Sequence, residues 1–290
     1  MTSVLQVLVL GLLLGLVYTL AGLGMTLSLG VLKVLNLTHG MAVLGGSVLA
    51  YQLHNALGLS PLVSALVALP AFFAVGCLLH AGLVRRAQAV SAESGLLVLF
   101  GAMTLLQAAT AQFWSGDIRT LSADYSNASV RLGGILVPSD YLVAGLGAAV
   151  LLVVVGSYLR WSTTGRAVQA LAQHPDAARI LGVPVERYAT LVFGAATAVA
   201  GSSGALLATV VPFSVATQTV WLTYAFIVVL VGGTGGVRGA LVGGLALGIG
   251  QAVFNYLLPL TWVSIVVYGL LLVAMVVRGG GLASVRERAL

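Results

Sequence analysis

The chain has 290 residues, of which 60% are hydrophobic and only 7% charged, and its formal net charge is +6. A soluble domain carries about 25% charged residues, so this complement cannot coat a water-exposed fold. The lone Cys77 excludes an internal disulfide framework and any cysteine-built metal site.

Taken in chain order, the stretches free of Asp, Glu, Lys and Arg are 1–32, 34–84, 94–116, 141–159, 188–237 and 239–277. A helix crosses the roughly 30 Å hydrocarbon layer with about 20 apolar residues. The first stretch holds one helix; it lacks the basic start and small-residue cleavage site of a secretory signal, so it is kept as a mature span. The second, 51 residues long, must fold back, and His54–Pro61 supplies the turn. The third and fourth stretches hold one helix each, separated by a loop over 114–140. The last two, of 50 and 39 residues, fold back at Val211–Thr217 and Leu258–Thr261, each of which carries a proline. The expectation is an all-α polytopic bundle of about nine transmembrane helices, forming a single transmembrane domain over 1–290.

If these helices alternate, eleven of the 13 basic residues fall on one side, and only Arg119 and Arg131, with Asp117, Asp124 and Asp140, on the other. By the positive-inside rule the N-terminus lies outside and the C-terminus in the cytoplasm. Trp114, Trp161, Trp221 and Trp262 lie near predicted helix ends, as headgroup-level rings should. The 37 glycines read as close helix contacts, which drive packing in lipid where hydrophobicity cannot.

Ion-coupled carriers place ionisable groups inside their spans, and the predicted spans hold no Asp or Glu. There is no GxxxxGK[ST] phosphate loop either, so energy, if any is used, must come from another protein. GSSG at 201–204 matches a rhomboid-type nucleophile motif, but no histidine follows His174 to activate Ser203. GGTGG at 232–236 follows an apolar helix instead of a strand and reads as a tight turn marked by Arg238. His54 and His80 have no companion ligands and read as packing residues. No cofactor, metal, nucleic acid or enzymatic chemistry is expected of this chain.

The polar segment 162–187, STTGRAVQALAQHPDAARILGVPVER, is the longest on the basic side. Arg166 to Gln173 forms one short helix, Pro175 opens a second with Asp176 at its positive end, Gly182 caps it and Pro184 stops it. A short helix across the cytoplasmic face suits insertion into a partner's groove.

Asp176, Ala177, Ala178 and Gly182 resemble the Glu-Ala-Ala-x-x-x-Gly coupling motif of bacterial ABC importer permeases, with Asp replacing Glu. VLKVLNLTHG, with Asn36, His39 and Gly40, is similar to the N-x-x-H-G segment of branched-chain amino acid permeases of the LivH type, and VVLVGGTGGVRGALVGG resembles another stretch of that family. The resemblance implies two permease subunits, usually different, two cytoplasmic ATPases and an extracytoplasmic solute-binding protein, working by alternating access. It makes Pro175, Asp176, Ala177, Ala178, Arg179, Gly182 and Glu186 the ATPase-coupling candidates. Asn36, His39 and Gly40 are translocation-pathway candidates, against the alternative that Asn36 and His39 hydrogen-bond neighbouring helices near the cytoplasmic interface. The expected cargo is a branched-chain or other amino acid, with urea, amides or another small polar solute as the alternative. A passive channel or facilitator is the alternative of a different class.

Overall fold

The computed structural model describes residues 2–259, apart from 115, 133, 181 and 235, together with residue 269. The expected ninth span, with Trp262 and the last three arginines, lies outside the described residues. The elements are α1 (Thr2–Leu32), α2 (His39–Leu57), α3 (Pro61–Leu79), a π-helical turn (His80–Val84) leading into α4 (Arg85–Gln88), α5 (Ala92–Trp114), strands β1 (Ser129–Leu132) and β2 (Ile135–Pro138), α6 (Ser139–Trp161), α7 (Thr163–Gln173), α8 (Pro175–Ile180), α9 (Val185–Val210), α10 (Thr217–Gly232) and α11 (Val237–Leu257). Six helical segments are long and apolar enough to cross a membrane: Val4–Leu32, Pro61–Gln88, Glu93–Trp114, Ser139–Trp161, Val185–Val210 and Val237–Leu257. The protein is an α-helical membrane protein.

Turn chemistry sets the connections. The α2 helix stops at Gly58, whose φ of +66° is left-handed, and α3 starts at Pro61 with the Ser60 hydroxyl accepting from the Val63 amide. Between α10 and α11, Gly233 and Gly236 both have positive φ, which is the turn expected from GGTGG.

The centre of the bundle is α9, which from Val192 to Ala208 is buried almost all round, as suits a helix with apolar and small residues on every face. Its small residues admit neighbouring backbones. A Cβ at Gly204 would strike the Val43 backbone, and one at Gly46 the Gly201 backbone, while the Ser47 hydroxyl donates across the same contact to the Gly204 carbonyl at 2.7 Å. Ser202 donates to the Ala65 carbonyl of α3 and Ser203 to Ala200 of its own helix, so GSSG serves helix contact.

Two three-helix units, α1–α3 and α9–α11, are built alike and run in opposite senses. In each, six residues, 33–38 or 211–216, separate a long helix from a shorter one. In each, a turn just before the shorter helix is closed by a backbone bond, His39 N–H to the Asn36 carbonyl (3.2 Å) or Thr217 N–H to the Ser214 carbonyl (3.1 Å). Packing is exchanged accordingly: α1 lies against α10 and α11, and α9 against α2 and α3. Inverted repeats of this kind build many transporter folds.

The described arginines sort by end as expected. Arg85, Arg86, Arg160, Arg187 and Arg238 stand at helix ends gathered on one side of the bundle, where Arg85 pairs with Glu186 at 3.3 Å. At the opposite end the 114–140 segment, expected as loop, contains a two-stranded antiparallel hairpin with Val130 opposite Val137. Ile135 and Val137 alternate inward onto Leu13 of α1, and this burial holds the strands in place. Two tryptophans depart from the headgroup expectation. Trp221 is buried in the main core, and Trp114 is buried against Tyr51, with ring centroids 5.7 Å apart. Both rings gain more from protein contact than from the interface. Trp161, 72% exposed at the end of α6, keeps the expected position.

Candidate functional site

Two regions carry the polar chemistry that an otherwise apolar bundle does not need for packing. The first is where the α1–α2 connection turns back into the bundle. His39 opens α2 and its Nε2 donates to the Ala21 carbonyl at 2.9 Å. Ala21 lies eleven residues before the end of α1, a climb of about 16 Å at 1.5 Å per residue. Residues 33–38 therefore turn back along α1, and α2 begins beside Ala21, about two-thirds of the way along that helix.

Irregular backbone inside a membrane bundle must be satisfied by protein. Asn36 does this: its Oδ1 accepts from the Thr38 amide (3.0 Å) and the Thr38 hydroxyl (2.6 Å). Gly40 is where the two short helices meet, since a Cβ there would strike the Gln218 carbonyl at the start of α10. Gly24 completes the junction; its missing side chain leaves room for Ala196 of α9 and for the His39 ring, 2.5 and 2.8 Å from where a Cβ would stand. Gln218, also buried, donates to the Thr219 hydroxyl at 2.9 Å and to Gln107 of α5 at 3.5 Å. Three polar atoms here have no partner: Asn36 Nδ2, His39 Nδ1 and Gln218 Oε1. In lipid such groups are costly unless a ligand, water or moving helix engages them. Thus Asn36, His39 and Gly40 are brought together, and Gln218 and Thr38 join them.

The second region is the helical pair at the arginine-rich end. Ser162 caps α7, its hydroxyl accepting from the Gly165 amide at 2.8 Å. The α8 helix follows after His174 and ends on Gly182 with φ +80° and a Val183 N–H to Ala178 carbonyl bond of 3.0 Å, a left-handed cap of the expected kind. It packs chiefly on α7 and α9. Of its two faces, Ala178 is turned inward and buried, while Ala177 is exposed and Ile180 is 86% exposed. Pro175, Asp176 and Arg179 lie along this helix, and Glu186 sits in the first turn of α9 in its ion pair with Arg85.

The remaining sequence candidates have structural partners. His54 Nδ1 lies 3.1 Å from the Leu59 carbonyl at the α2–α3 turn; His80 Nδ1 lies 2.9 Å from the Thr190 hydroxyl, its ring against Phe193. Arg119 stacks on Trp114 (4.7 Å to the ring centre) and Tyr51 (5.5 Å), and its backbone pairs with Phe213 just before α10. This clasp and Gln218 were missed by sequence reasoning.

The family model described as "Branched-chain amino acid transport system / permease component" matches residues 7–276. Among curated proteins the chain is 24% identical to the high-affinity branched-chain amino acid transport system permease protein LivH of Salmonella typhimurium, covering 94% of this chain and 92% of that protein. It is 27% identical to the probable branched-chain amino acid transport permease protein LivH of Methanocaldococcus jannaschii, over 86% and 81%. Identity to the permease protein BraD of Pseudomonas aeruginosa is 25%, over 96% and 95%. No solved structure gives a significant match.

Proposed function

Because the chain belongs to the family of branched-chain amino acid transport system permease components, we propose that it is the membrane-spanning subunit of an ATP-driven importer that moves branched-chain amino acids into the cell. ATP hydrolysis then belongs to separate cytoplasmic subunits. A second permease subunit completes the conduit, and an extracytoplasmic binding protein delivers the solute and sets most of the selectivity.

The observation that carries this reading is the α7–α8 pair, which is held outside the long helices at the arginine-rich end and offers an exposed apolar Ile180 there. An apolar side chain on a short rigid helix is what a partner's groove engages. Pro175, Asp176, Ala177, Ala178, Arg179, Gly182 and Glu186 form this contact, with the Glu186–Arg85 pair tying it to α9 and α4. Movement imposed on α8 passes to α9, the buried central helix, and from there to the α2 and α10 ends that meet at Gly40 and Gln218. Asn36, His39, Gly40 and Gln218 respond there, and their unpaired atoms find partners as the helices shift. On this scheme the N-terminus faces outward and nine spans are completed by residues 262–277.

The test is reconstitution. In proteoliposomes holding this chain with its partner subunits and binding protein, leucine uptake requires enclosed or added ATP on the α8 side, and Asp176→Ala with Arg179→Glu abolishes both uptake and ATPase association. Uptake by the chain without ATP, unaffected by those changes, supports the passive facilitator and refutes the importer.

A further inference from the structure

An open cleft of about 800 Å³ lies between α1, α6, α7 and the start of α11. Along α1 it extends from Gly30 to Leu16, about 21 Å of helix, which exceeds the roughly 15 Å depth of one leaflet's hydrocarbon. Its inner part is apolar, with Leu16, Leu152 and Leu241 on three different helices. Arg160 and Arg238 flank its outer part, two helical turns beyond Leu152 and about one turn beyond Leu241 respectively. Trp161 lines the same part, its indole largely exposed.

Neither arginine has a carboxylate within ion-pair distance among the described residues, where Arg85–Glu186 is the pair formed. Guanidinium groups without acids lining one cleft are the donors that phosphodiester oxygens take. The indole stands where a headgroup interface would be, and the apolar floor continues inward for an acyl chain. Basic pockets between spans on the positively charged side recognise anionic lipid in this way.

We propose that this cleft binds one anionic phospholipid, with its phosphate between Arg160 and Arg238 and an acyl chain along Leu16, Leu152 and Leu241. The inference is independent of the transport reading. Val168 and Gln169 of α7 also line the cleft, so the lipid sits against the helix that carries α8 and props it from beneath.

Native mass spectrometry of the full chain, released from nanodiscs made of equal phosphatidylglycerol and phosphatidylcholine, reads the binding directly. The chain retains phosphatidylglycerol in preference to phosphatidylcholine, by on the order of thirtyfold for two arginines near the surface. Arg160→Ala with Arg238→Ala loses this preference, while Lys at both positions keeps most of it. Arg131→Ala, which removes one positive charge at the opposite end, leaves it intact, and excess inorganic phosphate does not displace the lipid. Equal retention of the two lipids, as expected if residues 260–290 of this chain fill the cleft, overturns the proposal. So does an unchanged preference in the double alanine variant, or displacement by inorganic phosphate.

Discussion

The contact between α2 and α9 allows a prediction with a defined sign and a defined coupling. A Cβ added at Gly46 would lie 2.8 Å from the Gly201 Cα and nearer still to its carbonyl, and one at Gly204 would lie 3.1 Å from the Val43 Cα and nearer to that carbonyl. Both obstacles are backbone, so no flexible side chain can yield; the helices must separate. Overpacking of this kind costs about 1–3 kcal/mol. Separation also lengthens the Ser47 to Gly204 bond of 2.7 Å, worth roughly 0.6 kcal/mol on average between membrane helices. The Gly-to-Ala gain in helix propensity, about 1 kcal/mol, offsets part of this. Gly46→Ala is therefore expected to destabilise by about 1–2 kcal/mol, a fall of roughly 2–8 °C in Tm at the 2–4 °C per kcal/mol of a chain of this size. Once one alanine has parted the helices, the second meets less resistance, so Gly46→Ala with Gly204→Ala costs less than the sum of the two singles. Thermal unfolding in mild detergent, followed by loss of monodisperse protein, measures all three variants. Additive losses, or a Gly46→Ala variant as stable as the parent, would refute the close contact.

Other expectations follow from single side chains. Gly182→Ala places a Cβ at φ +80°, costs about 1–2 kcal/mol locally and lowers ATP-dependent uptake while leaving the Tm of the bundle within a few degrees. His39→Ala removes the donor to the Ala21 carbonyl and is expected to reduce uptake more than it reduces ATPase association, measured by transport and pull-down on the same preparation. Arg119→Ala removes stacking on Trp114 and Tyr51, worth about 0.5–2 kcal/mol; protease cleavage within 115–128 accelerates if the clasp holds the loop, and is unchanged if it does not.

Much of this architecture could be read from charge spacing alone, because a lipid-embedded helix leaves few options. The breaks at His54–Pro61 and Val211–Thr217 and the cap at Gly182 are local chemistry, and each stands where its residues require it. What hydropathy could not reveal is how the chain turns back after α1. Lys33 marks the end of α1, yet His39 finds its partner eleven residues back along that helix. That is a tertiary choice, invisible to any window that averages hydropathy over a span. Trp114 and Trp221 mislead for the same reason, since a ring near a helix end has the same sequence context whether it meets headgroups or Tyr51. The hairpin at 129–138 is too short for a pattern to declare itself beside the apolar helices, although Ile135 and Val137 alternate inward.

Site-specific cross-linking tests most directly whether α8 is where the chain meets its ATPase. With Cys77 replaced by alanine, a cysteine at the exposed Ala177 is expected to form a covalent product with the ATPase subunit, and a cysteine at Leu57, on the opposite end of the bundle, none. A cross-linked product from Leu57, or its absence from Ala177 in a complex that still transports, would contradict the account.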